Sequence, residues 1–363
     1  MKKILILANN DVGLYKFRKE LIQQLLTNNY TVYISLPYGE YVDNLKKMGC
    51  IFINTPIDRR KINPFKDIKI LYRYLCMIKK IKPDKIITYT IKPNIYGGLV
   101  SSVLRKDYAV NITGLGSAFQ TENLLKKLIV FLYKIGCKKA KTVFFENSHN
   151  YEVFLDSKIV TAEKSVILNG AGVNTDEYPL TEYPEKAQTT NFLFVGRIMK
   201  EKGIEELFEA ARRIKKDNLP CSISIVGPCE EEYIPVLEKL ECDGIIGYFG
   251  AQKDVVPFYQ NCHCFVLPSY HEGMANTLLE ASAIGRPSIT SDIPGCRESV
   301  LNRKSGLLCK PKDSDDLYEK MICFYNIDMN ERINMGNAAR KHIVDKFDKK
   351  AIVKKTLEAL KIE

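Results

Sequence analysis

No apolar run in the 363 residues reaches the roughly 18 needed to cross a bilayer. The opening MKKILILANN starts basic and turns apolar, as a secretory leader does, but soon meets Asn9, Asn10 and Asp11. It therefore reads as a first buried strand. The eleven cysteines include no C-x-x-C pair and are odd in number, which argues against a disulfide framework and for reduced thiols in a cytosolic compartment. Cys262, His263 and Cys264 look metal-like, but they alternate faces along an apolar strand and no second ligand cluster accompanies them, so no metal is expected there. Histidine is scarce: His149, His263, His271 and His342 form no catalytic cluster, and only His271, beside Glu272, is expected near a site. A repeat of solenoid length is missing, as is any module of basic residues interleaved with aromatics, so nucleic acid is not an expected partner.

The chain is long enough for two domains. Positive charge is unevenly placed: residues 1–180 hold 28 Lys and Arg against 15 Asp and Glu, a surplus of 13, while the remainder carries a small acidic excess. A basic half implies an anionic partner, such as a membrane surface or a lipid-linked phosphate; a solvated lysine-rich surface is the plainer reading.

Short apolar segments alternate with helix-length ones. Strands are expected near 3–8, 31–36, 51–55, 85–90, 108–113, 142–146 and 165–168. A second set is expected near 191–196, 221–227, 245–249, 263–268, 287–291 and 306–309. Helices lie between them, for example 16–28, 65–81 and 122–139, and the chain ends in helices near 314–326, 329–346 and 349–361. Strands apolar at consecutive positions have both faces covered, as in parallel α/β sheets. The fold class is α/β, with two doubly wound, Rossmann-like domains joined by a polar linker at about 174–190 and a ligand site at strand carboxyl ends.

Two constellations carry the chemistry. Gly196-Arg197 and Lys202-Gly203 follow an apolar run and open a helix, so two fixed cations sit on a strand-to-helix turn. Glu272 and Glu280 bracket the start of another helix after the strand HCFVLPS. Cations stabilise a departing diphosphate, a carboxylate fixes a diol, and a helix mouth holds phosphate oxygens. Together they suit a nucleotide-sugar. Leu124 to Lys141 forms a basic amphipathic stretch: Leu124, Leu128, Phe131, Leu132 and Ile135 recur at helical spacing with Lys126, Lys127, Lys134, Lys138 and Lys139 around them. A core-facing helix with snorkelling lysines is preferred for it, with a membrane-lying helix as the alternative. Asp313-Ser314-Asp315 resembles a metal-binding D-x-D but precedes a helix, where N-capping is expected.

The GR-x4-KG and E-x7-E pairs, together with YTIKPNIYGG (89–98), NITGLGSAF (111–119) and SDIPGCRESV (291–300), resemble the retaining nucleotide-sugar glycosyltransferases of family 4, and especially bacterial enzymes of capsule, O-antigen and lipid-linked oligosaccharide assembly. The resemblance covers nearly the whole chain. It implies a GT-B fold whose two domains face a cleft: an acceptor-binding domain, 1–180, and a nucleotide-sugar-binding domain, 181–345, with the last helix, about 345–363, packed back on the first. It implies Arg197, Lys202 and Glu272 as catalytic residues and Glu280 as the ribose contact. Donor contacts would come from Gly13, Gly196, Gly250, Asp254, Val255 and Gly273-Met274-Ala275-Asn276-Thr277. Acceptor contacts would come from Tyr15, Arg18, Lys92, Asn94, Gly114 and Gly116, with Ser117 in the same loop. Where many relatives carry a histidine, in 111–117, this chain has none; where most carry proline, it has Ala275.

The implied reaction moves a hexose or N-acetylhexosamine from a UDP-sugar to a polyprenyl-diphosphate-linked saccharide, with retention and without metal or other cofactor, at the inner face of the cell membrane. A GT-B-fold epimerase or phosphorylase, or a non-catalytic two-lobed binding protein, stays open as an alternative.

Overall fold

The computed structural model describes residues 2–58, 64–116, 119, 124–184, 189–229 and 231–362. Ser117, residues 122–123 of the expected helix and residues 185–188 of the expected linker lie outside these. The chain divides into two compact units, Met1–Ala171 with Lys350–Glu363, and Gly172–Lys349. The division thus falls at 171/172 and 349/350, against the expected 180/181 and 345.

In the first unit, strands β1 (Lys3–Leu7), β2 (Thr31–Leu36), β3 (Ile51–Asn54), β4 (Lys85–Tyr89), β5 (Asp107–Ile112), β6 (Thr142–Phe145) and β7 (Ser165–Ile167) form one sheet in the order 3-2-1-4-5-6-7. Every pairing is parallel. The strand order reverses at β1/β4, the kind of switch point at which such sheets bind ligands. β1, β4 and β6 are buried along almost their whole length, while the edge strands β3 and β7 are not. Consecutive apolar residues were legible as strands because helices cover both faces.

The second unit repeats the plan with β8 (Thr190–Val195), β9 (Cys221–Val226), β10 (Gly247–Tyr248), β11 (Cys264–Leu267), β12 (Ser288–Ser291) and β13 (Gly306–Cys309), ordered 10-9-8-11-12-13 and all parallel. Its core packs Phe192, Phe194, Ile225, Phe265 and Leu278 against helix Ile204–Lys216. Among the described residues no helix is long and apolar enough to cross a membrane.

Helix Lys349–Leu360 belongs with the first sheet. Ile352, Leu360 and Ile362 join the cluster of Ile4, Leu21 and Leu25, Thr142 Oγ1 donates to the Ala359 carbonyl at 3.2 Å, and Lys355 Nζ to that of Ile167 at 2.8 Å.

Helix Leu124–Cys137 corrects the preferred reading of its face. Its core side is Ile129, Tyr133, Gly136 and Cys137, while Leu124 is 83 % exposed, Phe131 58 % and Leu128 46 %. The cause is a backbone approach: a Cβ at Gly98 would collide with the Gly136 carbonyl, and Tyr108 donates to that carbonyl at 2.9 Å. Two glycines in contact turn the helix so that the bulkier apolar stripe faces outward.

Arg18 and Glu146 form an ion pair with both side chains nearly buried, and the guanidinium lies 5.2 Å from the Tyr89 ring centre. Removing one partner strands the other charge. Arg18→Ala should lower unfolding free energy by about 3 kcal/mol or more, whereas the double change Arg18→Met, Glu146→Leu should recover most of it, read from urea midpoints.

Candidate functional site

The site is built where strands of the second sheet end. After β8 the chain turns through Gly196–Lys202 and enters helix Ile204–Lys216 at Gly203, whose φ of +70° is left-handed. A Cβ there would run into the Pro268 carbonyl, so glycine is needed twice over. The Tyr270 amide donates to the Glu201 carbonyl at 2.9 Å, lacing this loop to the one after β11. Beyond β9, Gly227 (φ +145°) sits so close that a Cβ would strike the Gly196 carbonyl, and its amide donates to the carbonyl of Gly250 (φ +63°), beyond β10, at 2.8 Å. Glycine backbone thus joins three strand ends edge to edge.

Across this surface Lys202 Nζ pairs with Glu272 Oε1, and Ser269 Oγ, fully buried, donates to the same oxygen at 2.8 Å. Arg197, on the same loop, is exposed and has no hydrogen-bond or ion-pair partner among the described residues. His271 is half-buried, and its pKa is lowered from the usual 6.5, mainly by burial, with the Glu272 charge opposing, so the ring is neutral at neutral pH.

Gly273 to Thr277 lead into helix Asn276–Ala283. The Ala275 amide donates to the Gly295 carbonyl at 2.9 Å, and a Cβ at Gly295 (φ +84°) would collide with the carbonyls of Glu272 and Gly273. First-turn amides lack intrahelical acceptors and sit at the positive end of the helix dipole, a setting for anions. Asn276 Oδ1 is buried there with no hydrogen-bond partner among the described residues. One turn on, Glu280 Oε2 accepts from the Tyr259 hydroxyl at 2.9 Å. Met274 and Ala275 are buried, and Val255 packs on the core. Asp254 Oδ1, two residues before helix Val256–Asn261, accepts from the Val256 amide at 3.0 Å.

In the first unit, Gly13 donates its amide to the N-capping Asn10 Oδ1 at 2.6 Å, and Tyr15 stacks on Tyr41 with ring centres 5.0 Å apart. Gly114 (φ +153°) and Gly116 (φ +72°) follow β5 in left-handed backbone. Three expected acceptor contacts are occupied internally. Arg18 pairs with Glu146 and Lys92 Nζ with Asp67 at 2.8 Å; Asn94, 1 % exposed, accepts from Thr88 and donates to the Asn111 carbonyl. His263 Nδ1 accepts the Asn191 amide at 3.0 Å, and Asp313 Oδ1 caps a helix through the Asp316 amide at 2.9 Å.

Two family models match in tandem: "Glycosyl transferase 4-like" over residues 3–147 and "Glycosyl transferases group 1" over 181–342. The chain belongs to this glycosyltransferase family. It is 29 % identical to the N,N'-diacetylbacillosaminyl-diphospho-undecaprenol alpha-1,3-N-acetylgalactosaminyltransferase of Campylobacter jejuni, over 98 % of this chain and 97 % of that one. To the UDP-Gal:alpha-D-GlcNAc-diphosphoundecaprenol alpha-1,3-galactosyltransferase of Escherichia coli it is 26 % identical, over 79 % and 76 %. In fold it is similar to a glycosyltransferase from Rickettsia africae (TM-score 0.80, 21 % identity, 99 % and 98 % covered) and to Anabaena HepE in complex with UDP and glucose (TM-score 0.82, 16 % identity, 99 % and 100 % covered). These are GT-B glycosyltransferase structures.

In this glycosyltransferase, sequence reasoning missed Ser269, Tyr259, Gly227 and Gly295. Ser269 had a signal, since it stands three residues before Glu272 at the end of the same strand. The others reveal themselves only through contacts distant in sequence. Gly203→Ala should lower thermal stability and cut glycosyl transfer further than stability alone explains, because the Lys202 loop must shift off Pro268. Transfer rates measured well below the variant's melting temperature check this.

Proposed function

We propose that the protein moves a hexose or N-acetylhexosamine from a UDP-sugar to a polyprenyl-diphosphate-linked saccharide, keeping the anomeric configuration and using no metal. The observation that carries this reading is the Lys202–Glu272 pair beside exposed Arg197 at the strand ends. Further support comes from the lipid-diphosphate acceptors named for the Campylobacter and Escherichia relatives.

A diphosphate entering the site offers Lys202 a second anion. Lys202 and Arg197 then meet the charge that gathers as the bond between anomeric carbon and phosphate oxygen breaks. Glu272, oriented by Ser269, takes hydroxyls of the transferred sugar. Amides of Met274, Asn276 and Thr277 face diphosphate oxygens, and Glu280 takes the ribose diol. The acceptor hydroxyl oxygen bonds to the anomeric carbon on the face the phosphate leaves, and its proton passes to the departing phosphate oxygen. Acceptor contacts fall to Tyr15, Gly114 and Gly116, with Arg18, Lys92 and Asn94 supporting the first sheet from within.

The exposed stripe Leu124, Leu128 and Phe131, flanked by Lys126, Lys127 and Lys134, suits an anionic bilayer surface holding the lipid-linked acceptor, at the inner face of the cell membrane.

Arg197→Ala, Lys202→Ala and Glu272→Ala should each reduce kcat/KM by about 100-fold or more, measured as released UDP over a panel of UDP-sugars with short polyprenyl-diphosphate saccharides as acceptors. Unchanged turnover in all three would refute the reading. Sedimentation with phosphatidylglycerol vesicles should be salt-sensitive, and Leu128→Glu with Phe131→Glu should abolish it while leaving transfer to a water-soluble acceptor intact.

A further inference from the structure

Glu280 stands out in an apolar stretch, Leu278-Leu279-Glu280-Ala281, whose neighbours are fully buried. Its carboxylate is met by a phenol from another element of the same unit. Tyr259, fully buried on helix Val256–Asn261, donates at 2.9 Å to Oε2. Tyr178, six residues into the second unit, packs its ring against Tyr259. The two rings stand nearly perpendicular, 6.3 Å between centres, so each fixes the other.

The phenols are themselves anchored through the backbone. Arg286, fully buried, donates from Nε to the Tyr259 carbonyl at 2.9 Å and from Nη2 to the carbonyls of Gln260 and Glu182. Arg340 Nη1 donates to the Tyr178 carbonyl at 2.9 Å and to that of Ala283, on the helix that carries Glu280, at 2.7 Å. Burial, and after it the Glu280 charge, raises both phenol pKa values well above 10, so each remains a proton donor at every working pH.

The geometry points to Tyr259, braced by the Tyr178 ring, as the positioning residue that holds the Glu280 carboxylate for the vicinal hydroxyls of the donor's ribose. A carboxylate has about four lone-pair sites. One phenol fixing its orientation leaves lone pairs for a cis diol, and selectivity for ribose over deoxyribose follows from that orientation. The inference rests on the reading of Glu280 as the ribose contact.

Calorimetric titration of UDP and 2′-deoxyuridine diphosphate into the full-length protein tests it. The unaltered protein should prefer UDP by about tenfold or more, the worth of a hydrogen bond to a charged group. Tyr259→Phe should weaken UDP several-fold while hardly changing the deoxy ligand, so the preference shrinks; KM for the donor rises and kcat holds. Equal loss for both nucleotides in Tyr259→Phe would overturn the positioning role, because a merely structural tyrosine cannot tell the two apart. Glu280→Gln tests the underlying reading by itself: if it keeps the full preference for UDP, Glu280 is not the ribose contact. If instead Glu280→Gln loses the preference and Tyr259→Phe does not, only the positioning role fails.

Discussion

Lys202 and Glu272 are seventy residues apart, and their ion pair exists only because two loops of the second sheet run in atomic contact. That contact depends on glycine. Gly203 lies against the Pro268 carbonyl and Gly295 against the carbonyls of Glu272 and Gly273, while Gly227 fits beneath Gly196. Each approach is closer than any side chain allows, so the charges on separate loops are set by main-chain packing rather than by their own flexible stems.

The two units use their strand ends differently. The second brings charge, hydroxyl and helix mouth together. The first closes its polar groups on one another: Arg18 with Glu146, Lys92 with Asp67, Asn94 between Thr88 and Asn111. What it leaves open is mostly backbone and aromatic surface, at Gly13, Tyr15, Gly114 and Gly116, together with the outward Leu124–Phe131 stripe.

Strand positions were legible because a run such as Phe192–Val195 or Cys264–Leu267 is buried on both faces and so apolar without alternation. That Lys202 and Glu272 come together was legible because cations and carboxylates at strand ends have few structural uses. The partners of Arg18, Lys92 and Asn94 were not, since a residue with hydrogen-bonding capacity looks the same in sequence whether it serves a ligand or the protein's own interior. The outer face of helix Leu124–Cys137 was misread for a related reason: helical periodicity gives a stripe, but the Gly98–Gly136 contact that decides which stripe is covered joins residues 38 apart. Tyr259 and Gly227 were invisible because phenols and glycines are ordinary core and turn residues until their distant partners are known.

Helix Lys349–Leu360 completes the core around Leu21, Leu25 and Ile4, yet everything between Gly172 and Lys349 belongs to the other unit. On the ribosome, at about 5–20 residues per second, the first unit therefore waits on the order of ten seconds or longer with an apolar flank uncovered. The later-made unit can finish folding before the earlier one does, and nascent chains stalled short of Ile352 are the ones chaperones should hold longest.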